Sequence, residues 1–154
     1  MPFEGRPAPD FAAPDQRGET LRLSDLRGRW VVLYFNPRDE TRGCTAEACE
    51  FRDRRDAFSR LDAEIVGVST QDQASHAAFA RRHRLPFRLV ADPDKRIARA
   101  YGALGWLGVA RRVTFVLDPS GVVRRVHRSE LDPRGHVEAA RRAIEAGRTA
   151  SGVR

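Results

Sequence analysis

Trp30-Val31-Val32-Leu33-Tyr34-Phe35-Asn36-Pro37 is an unbroken apolar run stopped by an Asn-Pro pair. Six apolar residues without polar alternation are too few for a membrane span and read as a strand buried on both faces. A loop follows, then a helical stretch from about Gly43 to Phe58. There Cys44, Ala48, Phe51 and Phe58 fall at i, i+4, i+7 and i+14, on one face, with charged residues on the other. Glu64-Ile65-Val66-Gly67-Val68 is the next strand. Strand, helix and strand in that order predict a βαβ unit with parallel strands and a right-handed crossover.

The alternation continues downstream. Asp72 is placed to cap a helix running to about Arg84, Phe87 to Val90 reads as a short strand, and Asp94 is placed to cap a helix ending at Tyr101. Val113 to Leu117 and Val122 to Val126 flank Asp118-Pro119-Ser120-Gly121, a turn with proline at its second position, and so predict a hairpin. Hairpin strands are antiparallel, which makes the sheet mixed. The last helix begins with Asp132 as N-cap and Pro133 at the first helical position, and places Val137, Ala140 and Ile144 on one face. A central mixed sheet with helices on both sides is an α/β three-layer sandwich. The first 29 residues carry four of the nine prolines and read as a leader packed on it, with Asp15-Gln16-Arg17-Gly18 a turn between two extended pieces. The 154 residues suit one domain spanning 1–154.

Composition narrows the function classes. The net charge is +7, and Lys95 is the only lysine, so the positive charge lies almost entirely on arginines. These are scattered, often beside acids as in Phe51-Arg52-Asp53-Arg54-Arg55-Asp56, rather than gathered into a phosphate-binding stripe, so no nucleic-acid role is expected. No stretch approaches the ~18 apolar residues of a membrane helix, and the first residues lack the apolar region of a signal peptide. A cytoplasmic chain without membrane attachment is expected.

Only two cysteines occur, Cys44 and Cys49. In open α/β sheets chemistry collects at the carboxyl ends of parallel strands, and the loop from Asn36 to Gly43 delivers Cys44 there, at a helix start. A free thiol is only a few per cent ionised at neutral pH, and bringing a cysteine pKa down to ~6 takes about 3.4 kcal/mol. A helix N-terminus supplies at most ~2 kcal/mol, so a nucleophilic Cys44 needs a cation as well. Cys49 lies five residues on. On an ideal helix that offset separates the Cα atoms by about 8.6 Å. A disulfide tolerates roughly 4.4–6.8 Å, so the two thiols either never pair or pair only when the helix start unwinds.

The segment Pro37-Arg38-Asp39-Glu40-Thr41-Arg42-Gly43-Cys44 resembles the peroxiredoxin active-site pattern Pro-x-x-x-Thr-x-x-Cys. With Cys49 it resembles more narrowly the bacterioferritin comigratory, or Q-type, branch, whose resolving cysteine lies five residues after the peroxidatic one. The likeness runs on through Gly67-Val68-Ser69, His76 to Pro86, Ala91 to Asp94 and Arg112 to Asp118. Arg42 stands where this branch often has proline, and Asn36 where it often has an aromatic residue.

The resemblance implies a thioredoxin-like fold and a thiol peroxidase that reduces hydrogen peroxide and organic hydroperoxides, needs no bound cofactor, and is recycled by thioredoxin or a similar dithiol. It implies that Cys44 attacks the peroxide and becomes a sulfenic acid, and that Cys49 condenses with it. It further implies that Thr41 orients the peroxide, Pro37 shields the pocket, Arg112 supplies the cation, and Glu47 holds that guanidinium. Topology supports Arg112 independently. If Val113 to Leu117 runs antiparallel to Trp30 to Phe35, its start abuts the carboxyl end of the first strand. A monomer is expected.

The alternative reading is a thioredoxin-like disulfide carrier. The Cys-x4-Cys spacing stands against it, as does the lack of proline between Val109 and Val113, where such carriers usually place a cis-proline. His76, His83, His127 and His136 show no ligand spacing with either cysteine, so they are expected as surface or capping groups, with no metal. The apolar stretch Gly102 to Gly108 either covers the pocket or packs elsewhere.

Overall fold

The computed structural model describes residues 4–37, 42–105, 108, 110–130 and 132–150. The apolar run is β3 (Trp30–Phe35), the centre of a five-stranded sheet. Two short strands precede it, β1 (Ala12–Pro14) and β2 (Thr20–Arg22), which pair with each other around the expected turn. β4 (Ala63–Ser69) and β5 (Arg88–Ala91) continue the sheet on one side in parallel; β6 (Val113–Leu117) and β7 (Val123–Arg128) continue it antiparallel on the other. The order is β5-β4-β3-β6-β7, the mixed sheet predicted from the βαβ unit and the hairpin.

Because successive side chains of a strand point to opposite faces, β3 supplies two cores at once. Val31, Leu33 and Phe35 enter one with Phe115, Tyr101, Ile97 and Val66. Trp30, Val32 and Tyr34 enter the other with Phe51, Phe58, Phe79, Val137 and Ile144. The second is covered by α1 (Arg42–Asp53), α2 (Arg55–Arg60), α3 (Gln73–His83) and α5 (Pro133–Ala150); the first by α4 (Arg96–Ala100) and the amino-terminal segment. That segment is more than a surface leader, since Phe11, Leu21 and Leu23 are buried in the first core.

Two helical expectations are corrected. The stretch Gly43 to Phe58 is not one helix. It breaks at Arg54 (φ −105°, ψ 13°), where the Ala57 N–H bonds the Arg54 carbonyl in a tightened turn. Phe58 lies nearly four turns beyond Cys44, so the apolar pattern keeps its phase across the break, and Phe58 still packs on Phe51, with ring centroids 5.8 Å apart. Asp94 also gives way as the main cap of α4. The Asp92 carboxylate, almost fully buried, accepts from the N–H groups of Ile97 and Ala98 at 3.0 and 2.8 Å, while the Asp94 carboxylate reaches the helix at Arg96 N. Burial satisfied by two hydrogen bonds decides between two candidate caps that look alike in sequence. The caps of α3 and α5 are as read: Asp72 accepts from Ser75 N, and Asp132 from Gly135 N.

Candidate active site

β3 and β6 run antiparallel with Phe35 opposite Val113, so Arg112 emerges beside the carboxyl end of β3 and reaches the first turn of α1. Its Nη2 donates to Cys44 Sγ at 3.3 Å and its Nη1 to Glu47 Oε1 at 3.0 Å. Cys44 and Glu47 are wholly buried, and Arg112 is 6% exposed. Burial alone would push the guanidinium down; the adjacent Cys44 and Glu47, by charge and hydrogen bond, more than offset it and hold it above its usual value. The cation demanded by the thiol energetics is in contact with the sulfur.

Gly43 makes this contact sterically possible. A Cβ there would lie 2.8 Å from Arg112 Nη2, inside contact distance. In the sequence Gly43 marks only the approximate start of the helical stretch; the close approach of the Arg112 side chain is what favours it there.

Behind the Arg112–Glu47 pair stands a layer that sequence reasoning missed. His136, on the first turn of α5, is fully buried rather than a surface group. Its Nε2–H donates to the Ser129 carbonyl at 2.8 Å, its Nδ1 lies 2.9 Å from Thr114 Oγ1, and the same Nδ1 lies 3.6 Å from Glu47 Oε2. Desolvation pushes His136 down to about 4, against the pull of the Ser129 bond, with His127 and Arg112 adding to the depression. Glu47 is pushed up to about 8 by burial, opposed by Arg112. His136 follows the N-cap of an amphipathic helix by four residues, a helix-face position, and that was the available signal. His76 is likewise buried, its Nε2 3.2 Å from Ser69 Oγ.

Cys49 lies on the same α1 in a different setting. It is half-buried, with Sγ 3.9 Å from His83 Nδ1. Pro37 lies just past the end of β3, after Asn36, and is half-buried. Thr41 and the loop residues Arg38 to Glu40 lie outside the described residues, as do Trp106 and Leu107 of the apolar stretch. Among the described residues no group of three or more metal-ligating side chains comes together, and no helix is long and apolar enough to cross a membrane.

A buried cysteine at a helix start, touched by an arginine that a buried glutamate holds, defines a thiol-reactive protein. The sequence profile of the AhpC/TSA family matches residues 5–126. The chloroplastic peroxiredoxin Q of Populus jackii is 40% identical over 144 residues, covering 92% of this chain and 68% of that protein. Among solved structures, peroxidoxin BcpB from Mycobacterium tuberculosis superimposes with a TM-score of 0.88 at 37% identity, covering 94% of this chain and 97% of that one. The bacterioferritin comigratory protein of Xanthomonas campestris, described in connection with alkyl peroxide reduction activity, superimposes with a TM-score of 0.83 at 30% identity, over 89% of this chain and 91% of that one. The chain belongs to the AhpC/TSA family and has its thioredoxin-like peroxiredoxin fold; it is a thiol-dependent peroxidase.

Proposed function

We propose that the peroxidase works through Cys44 as nucleophile and Cys49 as resolving thiol, on hydrogen peroxide and organic hydroperoxides. The observation that carries the reading is the 3.3 Å contact between Arg112 and the buried Cys44 sulfur. A cation held at that distance favours the thiolate over the thiol. The thiolate attacks one peroxide oxygen, the O–O bond breaks, and Cys44 becomes a sulfenic acid while water or an alcohol leaves. Cys49 then forms a disulfide with Cys44, releasing the sulfenic oxygen as water, and a thioredoxin-type dithiol reduces that disulfide. Pro37 at the loop entrance and Thr41 in the loop complete the pocket on this reading, Thr41 by hydrogen-bonding the peroxide.

Both thiols sit within the continuous helix α1, Arg42–Asp53. Their ideal Cα separation of about 8.6 Å exceeds what a disulfide allows, so oxidation unwinds part of α1. Because both thiols belong to one short segment, the cycle needs no second copy of the chain, which favours a monomer. Mass spectrometry after one equivalent of peroxide tests the assignment. A Cys44–Cys49 disulfide is expected, together with faster amide exchange at Cys44 to Phe51 and unchanged exchange at Val31 to Phe35. A stable sulfenic acid with Cys49 left reduced would overturn the resolving role, and equal protection of α1 in both redox states would overturn the unwinding.

A further inference from the structure

The buried cluster contains more proton sites than the peroxidase chemistry has used. Glu47 Oε2 has no hydrogen-bond partner among the described residues, although it is wholly buried. His136 Nδ1 lies 3.6 Å from it. With the Nε2–H committed to the Ser129 carbonyl, Nδ1 of a neutral His136 carries only a lone pair, which can accept from the Thr114 hydroxyl at 2.9 Å and offers the lone pairs of Oε2 no proton. Two acceptors facing each other in a dry site are unfavourable unless a proton lies between them.

Charge points the same way. With Cys44 as thiolate and Glu47 as carboxylate, Arg112 faces two negative groups, and a neutral His136 leaves the cluster one negative charge in excess. One proton on Glu47 or His136 balances it. The other groups acting on the pair are Thr114 on β6, His127 on β7, itself beside the exposed Arg125, and Glu130 and Asp132 ahead of α5. The His127 ring stands edge-on to His136 at 4.6 Å, and its own Nε2 is buried without a partner among the described residues. His127, like His136, is depressed by burial, so neither ring supplies a standing positive charge.

We propose that Glu47 and His136 hold one shared proton that compensates the Cys44 thiolate and is released when the sulfur loses its charge. His136 is thus a positioning residue of the reaction, acting through Glu47 on Arg112. The proposal rests on the reading of Cys44 as the attacking thiolate. The sulfur electron pair forms the S–O bond to the distal peroxide oxygen, which keeps its hydrogen, and the O–O bond breaks, leaving RO⁻. RO⁻ takes up one proton, and the pair gives one up to solvent, so the step from thiolate with protonated pair to sulfenic acid with unprotonated pair consumes no net proton. As the cluster becomes neutral through the sulfenic acid, Arg112 and Glu47 remain as a balanced ion pair.

The test is the pH profile of the first oxidation in Cys49→Ser protein, which stops at the sulfenic acid. The rate constant for hydrogen peroxide should fall on the alkaline side with a midpoint near the raised Glu47 value of about 8, as the pair loses its proton. Glu47→Gln should abolish that limb. His136→Asn keeps a polar group facing Thr114 without a basic nitrogen, and should move the limb down by about one pH unit, costing about fivefold at pH 8 and little at pH 6. A uniform loss at every pH would show a merely structural role and overturn the proposal, as would an unmoved limb. Should His136→Asn fail to fold, the His136 Nδ1 nitrogen resonance of Cys49→Ser protein decides: it shifts on conversion of Cys44 to the sulfenic acid, and constancy overturns the proposal. Peroxide consumption by Cys44→Ser protein at the unsubstituted rate would instead sink the nucleophile assignment itself.

Discussion

Cys44 and Cys49 share one helix and differ in everything around their sulfur atoms. Cys44 is wholly buried with the Arg112 guanidinium 3.3 Å away, whereas Cys49 is half-buried and faces His83 at 3.9 Å. The helix itself does not create this difference, because its dipole falls off within the first turn and supplies too little energy even there. The cation at Cys44 is Arg112, the residue just before β6 and 68 residues downstream, brought in by the antiparallel pairing of β3 and β6. Reactivity is thus assigned by the sheet, and the helix only presents two thiols for it to choose between.

The largest expected effect breaks the comparison outright. Cys44→Ser should lower peroxide turnover by more than about a thousandfold, because a serine hydroxyl stays protonated at neutral pH and lacks the nucleophilicity of a thiolate. Cys49→Ser should instead consume one equivalent at an undiminished rate and then stop, with a sulfenic acid trapped by a dimedone-type reagent. Equal loss in both variants, measured by stopped-flow peroxide consumption, would mean that the two thiols are not functionally distinct.

Removing the cation should make Cys44 resemble Cys49. Arg112→Met keeps the stem volume and should slow the first oxidation by about a hundredfold, the usual cost of deleting one strong donor from a reacting centre. Glu47, left without its partner but already pushed up to about 8, takes a proton at neutral pH rather than remaining a bare buried charge. The fold should therefore persist, as circular dichroism would show. A rate within twofold of the unsubstituted protein would remove Arg112 from the site.

A smaller effect comes from the helix side of the same contact. Gly43→Ala adds a methyl group 2.8 Å from Arg112 Nη2 and forces the guanidinium aside. An alanine raises helix propensity, so α1 gains intrinsic stability while the first oxidation should slow by about tenfold. Faster oxidation with the more stable helix would show that mobility of α1, not the position of Arg112, limits the chemistry.

The smallest effect concerns the end of α1 beyond Cys49. Arg54, at the break after α1, pairs with Glu138 of α5 at 2.9 Å, and Glu138 also bonds Arg141 and Arg142. These partners, Arg141 foremost, hold the Glu138 carboxyl down at about 2. A carboxylate depressed on folding adds stability that is present above its ordinary value of 4.5 and is lost as pH falls through about 2. The group is a third exposed and screened by solvent, so Glu138→Gln should cost less than about 1 kcal/mol at pH 7 in urea unfolding. The difference should vanish near pH 2 and shrink in high salt. A persistent difference at acid pH would point to packing rather than charge.

The sequence by itself determined the elements and their order. β3 was readable because a six-residue apolar run stopped by Asn-Pro has few alternatives. The hairpin was readable because Asp118 to Gly121 carry turn chemistry, with Gly121 at φ +83° in a conformation that side chains resist. The family resemblance named Arg112, and, on the condition that Val113 to Leu117 pairs antiparallel with Trp30 to Phe35, strand direction put it beside Cys44. These are local patterns, or a single pairing rule applied to them. Tertiary structure alone decided the break at Arg54, the choice of Asp92 over Asp94, the need for Gly43, and the burial of His76 and His136. Each depends on which distant group comes within a few ångströms, and a chain position carries no record of that. His136 shows the reason most plainly: between helix caps and arginines it reads as another surface residue, and only the packing of α5 against α1 and β6 strips its water and sets it against Glu47.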